Sequence, residues 1–386
     1  MPEGIAPFRA EKNQTPAPIR KVSFLTTYVD EFPQRFRVYN IIEGLVSAGI
    51  ECTVFKDDFP GDLEDLLDSD ILVVFRAGIT QNVQRIMSEF RRANIPVVFD
   101  VDDLVFEPES AGLLYGLSTA DDSAKQRSIR NMGLLRETLL ACDYATCTTR
   151  ALSKRIEALG KNCHVIPNAI NRKQYDMAQK MKNASTSGRD GKVRIGYFSG
   201  TKTHEKDFRE VSDALHEVME KNDNVEFHLV GILDLDKKFM KFGGRVVRKP
   251  LMDYLEMLGY LARMDINLAP LEMNNTFTSS KSELKIFEAA VVAVPTIASA
   301  TESYAGCITH GVNGLLAASK SEWREHLEKL VNDRGFRRKL AEQAEREFVE
   351  RYFISNITTD IIAVYQRIKK DYMNRYEERR YVFQEG

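Results

Sequence analysis

Phe277-Thr-Ser-Ser-Lys-Ser-Glu-Leu-Lys-Ile-Phe-Glu-Ala-Ala290 runs directly into Val291-Val-Ala-Val-Pro-Thr-Ile-Ala-Ser299. A polar loop leads into a helix, and the helix into a short β-branched strand. Ser280 or Ser282 is placed to cap the helix by accepting a backbone N–H hydrogen bond. The remaining N–H groups and the helix dipole make its start a seat for an anion. Lys281 and Lys285 lie four apart, on one face of a helix expected to begin at or before Lys281. Glu288 follows three residues later near that face, and Leu284, Phe287 and Val291 form the apolar face. The surface offers cations and N–H groups for phosphate, with a carboxylate suited to sugar hydroxyls. The plainer alternative is a capped, solvated amphipathic helix. The rest of the chain decides between them.

The chain has 386 residues, 43% of them hydrophobic. That length suggests two domains of about 150–200 residues. A formal net charge of −2 gives no global field toward nucleic acid. The five cysteines (Cys52, Cys142, Cys147, Cys163, Cys307) form no CxxC pair, and the six histidines show no metal-ligand spacing. Reduced thiols in a cytoplasmic protein and no metal are therefore expected. No secretory signal is read, and no apolar run reaches the roughly 20 residues of a membrane-spanning helix. Residues 1–19 read as a disordered tail.

Working outward, strands and helices alternate through both halves. Lys21–Thr27, Cys52–Phe55, Ile71–Phe75, Pro96–Asp103, Tyr144–Thr148 and His164–Ile166 read as strands of an N-terminal unit over 20–175. Residues 176–192 are polar and Ser/Gly-containing, and read as a linker. Val193–Phe198, Val225–Val230, Val246–Arg248, Asp265–Ala269 and Pro295–Ala298 read as strands of a second unit over 193–354. Alternating strands and helices predict doubly wound parallel sheets, with a cleft at their C-terminal ends. In 355–386, Ile357, Ile361, Val364, Tyr365, Ile368 and Tyr372 recur with helical spacing. That stripe needs a partner surface and predicts a helix crossing back to the first domain.

A second candidate anion seat is Ser199-Gly-Thr-Lys-Thr-His-Glu-Lys-Asp207. Gly200 lets the backbone approach a ligand, Thr203 is placed to cap, and Lys202, His204 and Lys206 supply donors. In the first half, Asp100-Val-Asp-Asp103 ends a buried strand and points into the cleft. It reads as a metal-binding DxD, as Asp102 or Asp103 on a sugar hydroxyl, or as a cap for the next turn. Arg35, Arg37 and Arg76 are candidates for gripping an acidic acceptor, a phosphate or neighbouring carboxylates.

Val165-Ile-Pro-Asn168, Gly196-Tyr-Phe-Ser-Gly-Thr201, Asp265-Ile-Asn-Leu-Ala-Pro270, Lys285-Ile-Phe-Glu-Ala289 with Pro295, and His310-Gly-Val-Asn-Gly-Leu315 together carry a resemblance. The chain resembles the GT-B glycosyltransferases, in particular the large retaining family numbered four. The resemblance spans about residues 20–370 and is sharpest over 165–315. It implies two Rossmann-like domains facing across a cleft, with the last helix returning to the first domain. It also implies metal-independent sugar transfer from a nucleotide diphosphate sugar to a glycan or lipid-linked acceptor, with retention. Bacterial polysaccharide synthesis, in the cytoplasm or at the inner face of the plasma membrane, would follow.

The donor-side candidates are then Gly200, Thr201, Lys202, His204, Lys206, Arg248, Ser280, Lys281, Ser282, Lys285 and Glu288. Lys206, Lys285 and Asp103 are the catalytic candidates, and Arg35, Arg37, Arg76 and Asp102 stand on the acceptor side. The sequence departs from the family at several points. Counting back from Glu288 to the first carboxylate of the family's paired-glutamate motif lands on Ser280, and Glu283 is out of register. The family's phosphate-binding arginine falls on Gly200 or Thr201. The first half has only His164, so the usual sugar-contacting histidine is absent. A nucleotide-sugar-binding scaffold and a GT-B epimerase are the rival readings.

Overall fold

The computed structural model describes residues 18–27, 34–114, 120–184, 190–200 and 205–384. Two six-stranded parallel sheets organise the chain. The first contains β1 (Lys21–Thr26), β2 (Glu51–Lys56), β3 (Ile71–Phe75), β4 (Val97–Val101), β5 (Tyr144–Cys147) and β6 (Cys163–Val165), in the order β2-β1-β3-β4-β5-β6. The second contains β7 (Val193–Ser199), β8 (Val225–Gly231), β9 (Val246–Lys249), β10 (Ile266–Ala269), β11 (Thr296–Ser299) and β12 (Leu315–Ala317), in the order β12-β11-β10-β7-β8-β9. This is the expected doubly wound α/β architecture.

Burial on both faces explains the apolar strand runs. Leu72 and Val74 of β3 join the core beneath the Gln81–Arg92 helix, with Val83, Ile86 and Phe90. Ile71, Val73 and Phe75 face the other way, onto Val38, Ile41 and Leu45. Ile357, Ile361, Tyr365 and Ile368 of the Ile354–Gln384 helix close that second core. The long helix therefore belongs spatially to the first domain, as its apolar stripe predicts. The fit is close, for a Cβ on Gly44 would lie 2.5 Å from Thr358 Oγ1.

Three local expectations change. Residues 176–184 are helical, as part of the Arg172–Ala184 helix. That helix is held by Ala178 in the second domain's core and by buried Gln174, which accepts from Asn40 Nδ2 at 2.9 Å. Its polar composition hides a narrow buried stripe. Residues 185–189 lie outside the described residues. Second, the long C-terminal helix starts at Ile354, one residue before the span read from the sequence, where the Ile354 N–H bonds to the Ile170 carbonyl at 2.9 Å. Third, β12 adds an edge strand beside β11 where the sequence reading placed none.

The domains also exchange side chains. Phe36 of the first domain sits in the second domain's core, edge-on to Tyr254 and Phe287. Phe277 of the second domain sits in the first domain's core. The cleft lies between these two insertions.

Candidate active site

Strand ends from both sheets build the cleft. β7 ends at Phe198-Ser199, followed by Gly200, and β8 ends at Gly231 with φ 99°. A Cβ on Gly231 would lie 1.6 Å from the Ser199 carbonyl oxygen, so only glycine lets these two strand ends sit side by side. Among the described residues a Cβ on Gly200 would meet nothing within 4 Å.

The Leu284–Val291 helix supplies the opposite side of this corner. It begins later than expected. Lys281 and Ser282 lie in the loop before it, and Glu283 is the N-cap residue without a side-chain cap bond. Neither Ser280 nor Ser282 caps it. Ser280 is buried and its Oγ donates to the Thr276 carbonyl at 2.8 Å. Ser282 Oγ accepts from Asn168 Nδ2 of the first domain at 3.1 Å. The loop is pinned from several sides: Thr149 Oγ1 donates to the Ser280 carbonyl at 3.1 Å, and Tyr352 OH donates to Glu283. Asn267 of β10 donates to the Lys285 carbonyl at 3.1 Å. Side chains far apart in sequence thus fix a loop that looked like a local capping motif.

A cavity of about 500 Å³ opens at this corner, a size suited to a small-molecule ligand. Gly200, Lys281, Ser282, Lys285 and Glu288 line one side, and Arg76, Asp102 and Asp103 the other. Lys285 Nζ donates to the Phe198 carbonyl at 2.7 Å and lies 4.7 Å from the Tyr197 ring centroid. Burial lowers its pKa to about 8, and the nearby Lys281 charge adds to the effect. Burial raises Glu288 to about 8, against the opposing pull of Lys285 and Arg35. Lys281 Nζ is 3.7 Å from Asp207 Oδ2. Two cations and the β7 strand end therefore converge where an anion would be received.

Across the cavity, Arg76 has φ 44° at the end of β3. A left-handed conformation in such a residue stores about 1–3 kcal/mol of strain. Its Nε lies 2.5 Å from Asp102 Oδ1, yet the angle is poor and neither atom makes a hydrogen bond among the described residues. Burial raises the Asp102 pKa while Arg76 pulls it down. Asp103 Oδ1 accepts the N–H of Leu104 at 2.9 Å, so the turn-capping reading holds for one of its oxygens.

Other sequence candidates fall elsewhere. Arg37 is buried, donating from Nε and Nη2 to Asp100 at 2.9 and 2.6 Å and from Nη1 to the Ile166 carbonyl at 2.6 Å. It is a core ion pair with no reach into the cleft. Arg248 donates to the Leu233 carbonyl at 2.6 Å and does not line the cavity. Lys206 begins the Glu205–Lys221 helix with Nζ 3.4 Å from Glu272, and it too is absent from the lining. Arg35 stacks its guanidinium 4.5 Å over the Tyr254 ring. Thr201, Lys202, Thr203 and His204 lie outside the described residues. Among the described residues no group of three or more His, Cys, Asp or Glu side chains comes together to hold a metal.

Sequence reasoning missed Tyr254, Phe36 and Asn267. Tyr254 and Phe36 line the cavity but read as ordinary core aromatics, and the buried Tyr254 OH has no hydrogen-bond partner among the described residues. Asn267 was visible as a lone amide in an apolar strand.

Residues 192–333 match the family described as glycosyl transferases group 1. The fold is GT-B. HepE from Anabaena, solved with UDP, is similar at a TM-score of 0.58 and 16% identity, over 89% of this chain and 99% of that one. It has also been solved with UDP-glucose. Sucrose-phosphate synthase from Thermosynechococcus elongatus is similar at 0.59 and 13% identity, over 90% and 99%. A putative UDP-N-acetylglucosamine 2-epimerase from Listeria monocytogenes is similar at 0.51 and 13% identity, over 90% and 95%. A search of curated proteins found no match.

Proposed function

We propose that this GT-B chain is a glycosyltransferase that moves a sugar from a nucleoside diphosphate sugar to a hydroxyl acceptor. One observation carries the reading. Lys281 and Lys285 line the same corner as Gly200, at the C-terminal edge of β7 and β10. Negative charge grows on the diphosphate as the sugar departs, and a cation held in a partly dry site stabilises it most at that moment. Lys285 is the residue for this role, with Lys281 beside it. Glu288, three residues on, accepts hydrogen bonds from ribose hydroxyls. The Gly200 backbone admits the diphosphate. The UDP complexes of the structurally similar HepE support UDP as the first nucleotide to test.

Retention is part of this proposal, with the departing phosphate taking the acceptor proton on the same face. No metal enters the scheme. The acceptor is a glycan or a lipid-linked glycan of a bacterial polysaccharide, met in the cytoplasm or by peripheral contact with the inner membrane face. No described helix is long and apolar enough to cross a membrane. One observation favours a second reading, a scaffold that binds nucleotide sugar without turnover. Ser280, which stands where the family has the first glutamate of its pair, is buried and bonded to Thr276.

Calorimetric titration with UDP, followed by a panel of nucleotide sugars with acceptor sugars, separates the readings. Transfer supports the transferase. Tight UDP binding with neither transfer nor hydrolysis supports the scaffold. No binding of any nucleotide refutes both.

A further inference from the structure

The first domain's side of the cavity carries a pair that the transfer scheme above leaves unused. Arg76 and Asp102 stand at the ends of neighbouring strands β3 and β4, and the Arg76 N–H bonds to the Asp100 carbonyl at 3.2 Å. Their mutual contact uses only Nε and Oδ1, and uses them poorly. Both side chains line the cavity, at 21% and 14% exposure. Among the described residues the Arg76 Nη atoms and Asp102 Oδ2 have no hydrogen-bond partner, and Asp103 beside them has one oxygen engaged. Arg76 reaches this place only by adopting a left-handed backbone.

We propose that Arg76 and Asp102, with Asp103, form a subsite for a neutral sugar ring, holding adjacent hydroxyls of the acceptor; this rests on the glycosyl-transfer reading. A hydroxyl donates one hydrogen bond and accepts others. A guanidinium beside a carboxylate offers both partners at one place, which two adjacent ring hydroxyls satisfy together. The charge balance selects against anions. Asp102 already offsets Arg76, the nearby Arg37 is taken by the Asp100 carboxylate, and Asp103 adds a further negative charge on the same wall. A uronate or phosphate placed there would meet net repulsion, while the lysines across the cavity are taken by the diphosphate. The subsite therefore names an acceptor class: a neutral glycan end in preference to a phosphate or uronic-acid end.

Ligand-observed NMR on the full chain tests this, with methyl α-glucoside as the neutral probe and glucuronate and glycerol 3-phosphate as anionic probes, each with UDP present. Methyl glucoside should bind the parent protein at least about tenfold more tightly than either anion. Arg76→Gln and Asp102→Asn should weaken it by about tenfold or more while calorimetric UDP affinity stays within about twofold. Asp102→Asn frees the Arg76 charge and should move the preference toward glucuronate by about tenfold. Equal or tighter binding of an anion by the parent protein overturns the proposal. So does the absence of any sugar binding when UDP binds, or unchanged probe affinities in both variants. The parent comparison needs no variant to fold. Failure of UDP itself to bind counts against the nucleotide-sugar reading alone, and the sugar arm is then read without nucleotide.

Discussion

Replacing Lys285 by methionine should make the empty protein more stable and the enzyme nearly inactive. Methionine keeps most of the stem beside Tyr197 and removes the charge. In the folded chain the ammonium is held at about 8, against an ordinary 10.5. That difference corresponds to about 3 kcal/mol of penalty for keeping the charge in the fold. Loss of the bond to the Phe198 carbonyl returns part of this, leaving an expected gain of about 1–2 kcal/mol at pH 7. The sign follows from where the proton sits. Below pH 8 folded and unfolded chains both carry it, and the fold bears the full penalty. Between about 8 and 10.5 the folded chain sheds it first, so the parent gains stability as pH rises. The methionine advantage should therefore be largest near pH 7 and gone by about pH 10.5. Urea melts of both proteins at pH 7, 8.5 and 10 measure this. Transfer assays should show kcat reduced by at least about a hundredfold, as loss of one transition-state donor does. In the parent, kcat/KM should fall above about pH 8 as the amine goes neutral. A variant that melts earlier than the parent at pH 7 and turns over normally would falsify both the burial argument and the catalytic role.

Glu288→Gln should weaken UDP binding by about 1.5–3 kcal/mol with a smaller effect on kcat; since burial holds Glu288 protonated up to about pH 8, UDP binding at pH 7 should release a proton, seen by calorimetry in two buffers and missing in the variant. Two glycines should part company: Gly200→Ala should melt within about 1 kcal/mol of the parent and raise the donor KM, because its Cβ meets none of the described residues, whereas Gly231→Ala should lose several kcal/mol, because its Cβ collides with Ser199. A thermal melt of each decides. EDTA should leave transfer intact; strict dependence on Mn²⁺ or Mg²⁺ that disappears in Asp102→Asn would revive a metal-binding role for the aspartates.

Lys285 and Glu288 were legible because a helix fixes their spacing, and any helix at that place puts them on one side. Lys281 reached the cavity for a different reason than its spacing suggests, from a loop pinned by Asn168 and Thr149. Arg37 shows where sequence stops. Its charge was visible, but its partner Asp100 lies 63 residues away, and only the folded sheet brings them together. Arg248 and Lys206 stand outside the described lining of the cavity, since a cation near a motif carries no sign of which way it points. Tyr254 and Phe36 were hidden by the opposite problem, because an aromatic at helical spacing reads as packing. The central strands were legible because burial on both faces gives them continuous apolar runs, as in β3 and β4; β2 and β9 at the sheet edges are largely exposed and showed only short β-branched runs, and β12 at the other edge was not read.

The exchange of Phe36 and Phe277, and the return of the Ile354–Gln384 helix, bear on how the chain is made. During synthesis the first domain, which ends near residue 175, emerges about a hundred residues before Phe277 and about 180 before Ile357, with Ile361, Tyr365 and Ile368 following. At typical elongation rates the wait for Ile357 is roughly ten seconds or more, during which Val38, Ile41 and Leu45 cover the β1–β3 face without the C-terminal helix that closes that core. Domains usually fold in the order in which they leave the ribosome, but here the first can finish only after the last helix arrives. A nascent chain stalled near residue 200 should accordingly be protease-sensitive and bind chaperones, and the first half expressed alone should aggregate unless the C-terminal helix is supplied in trans.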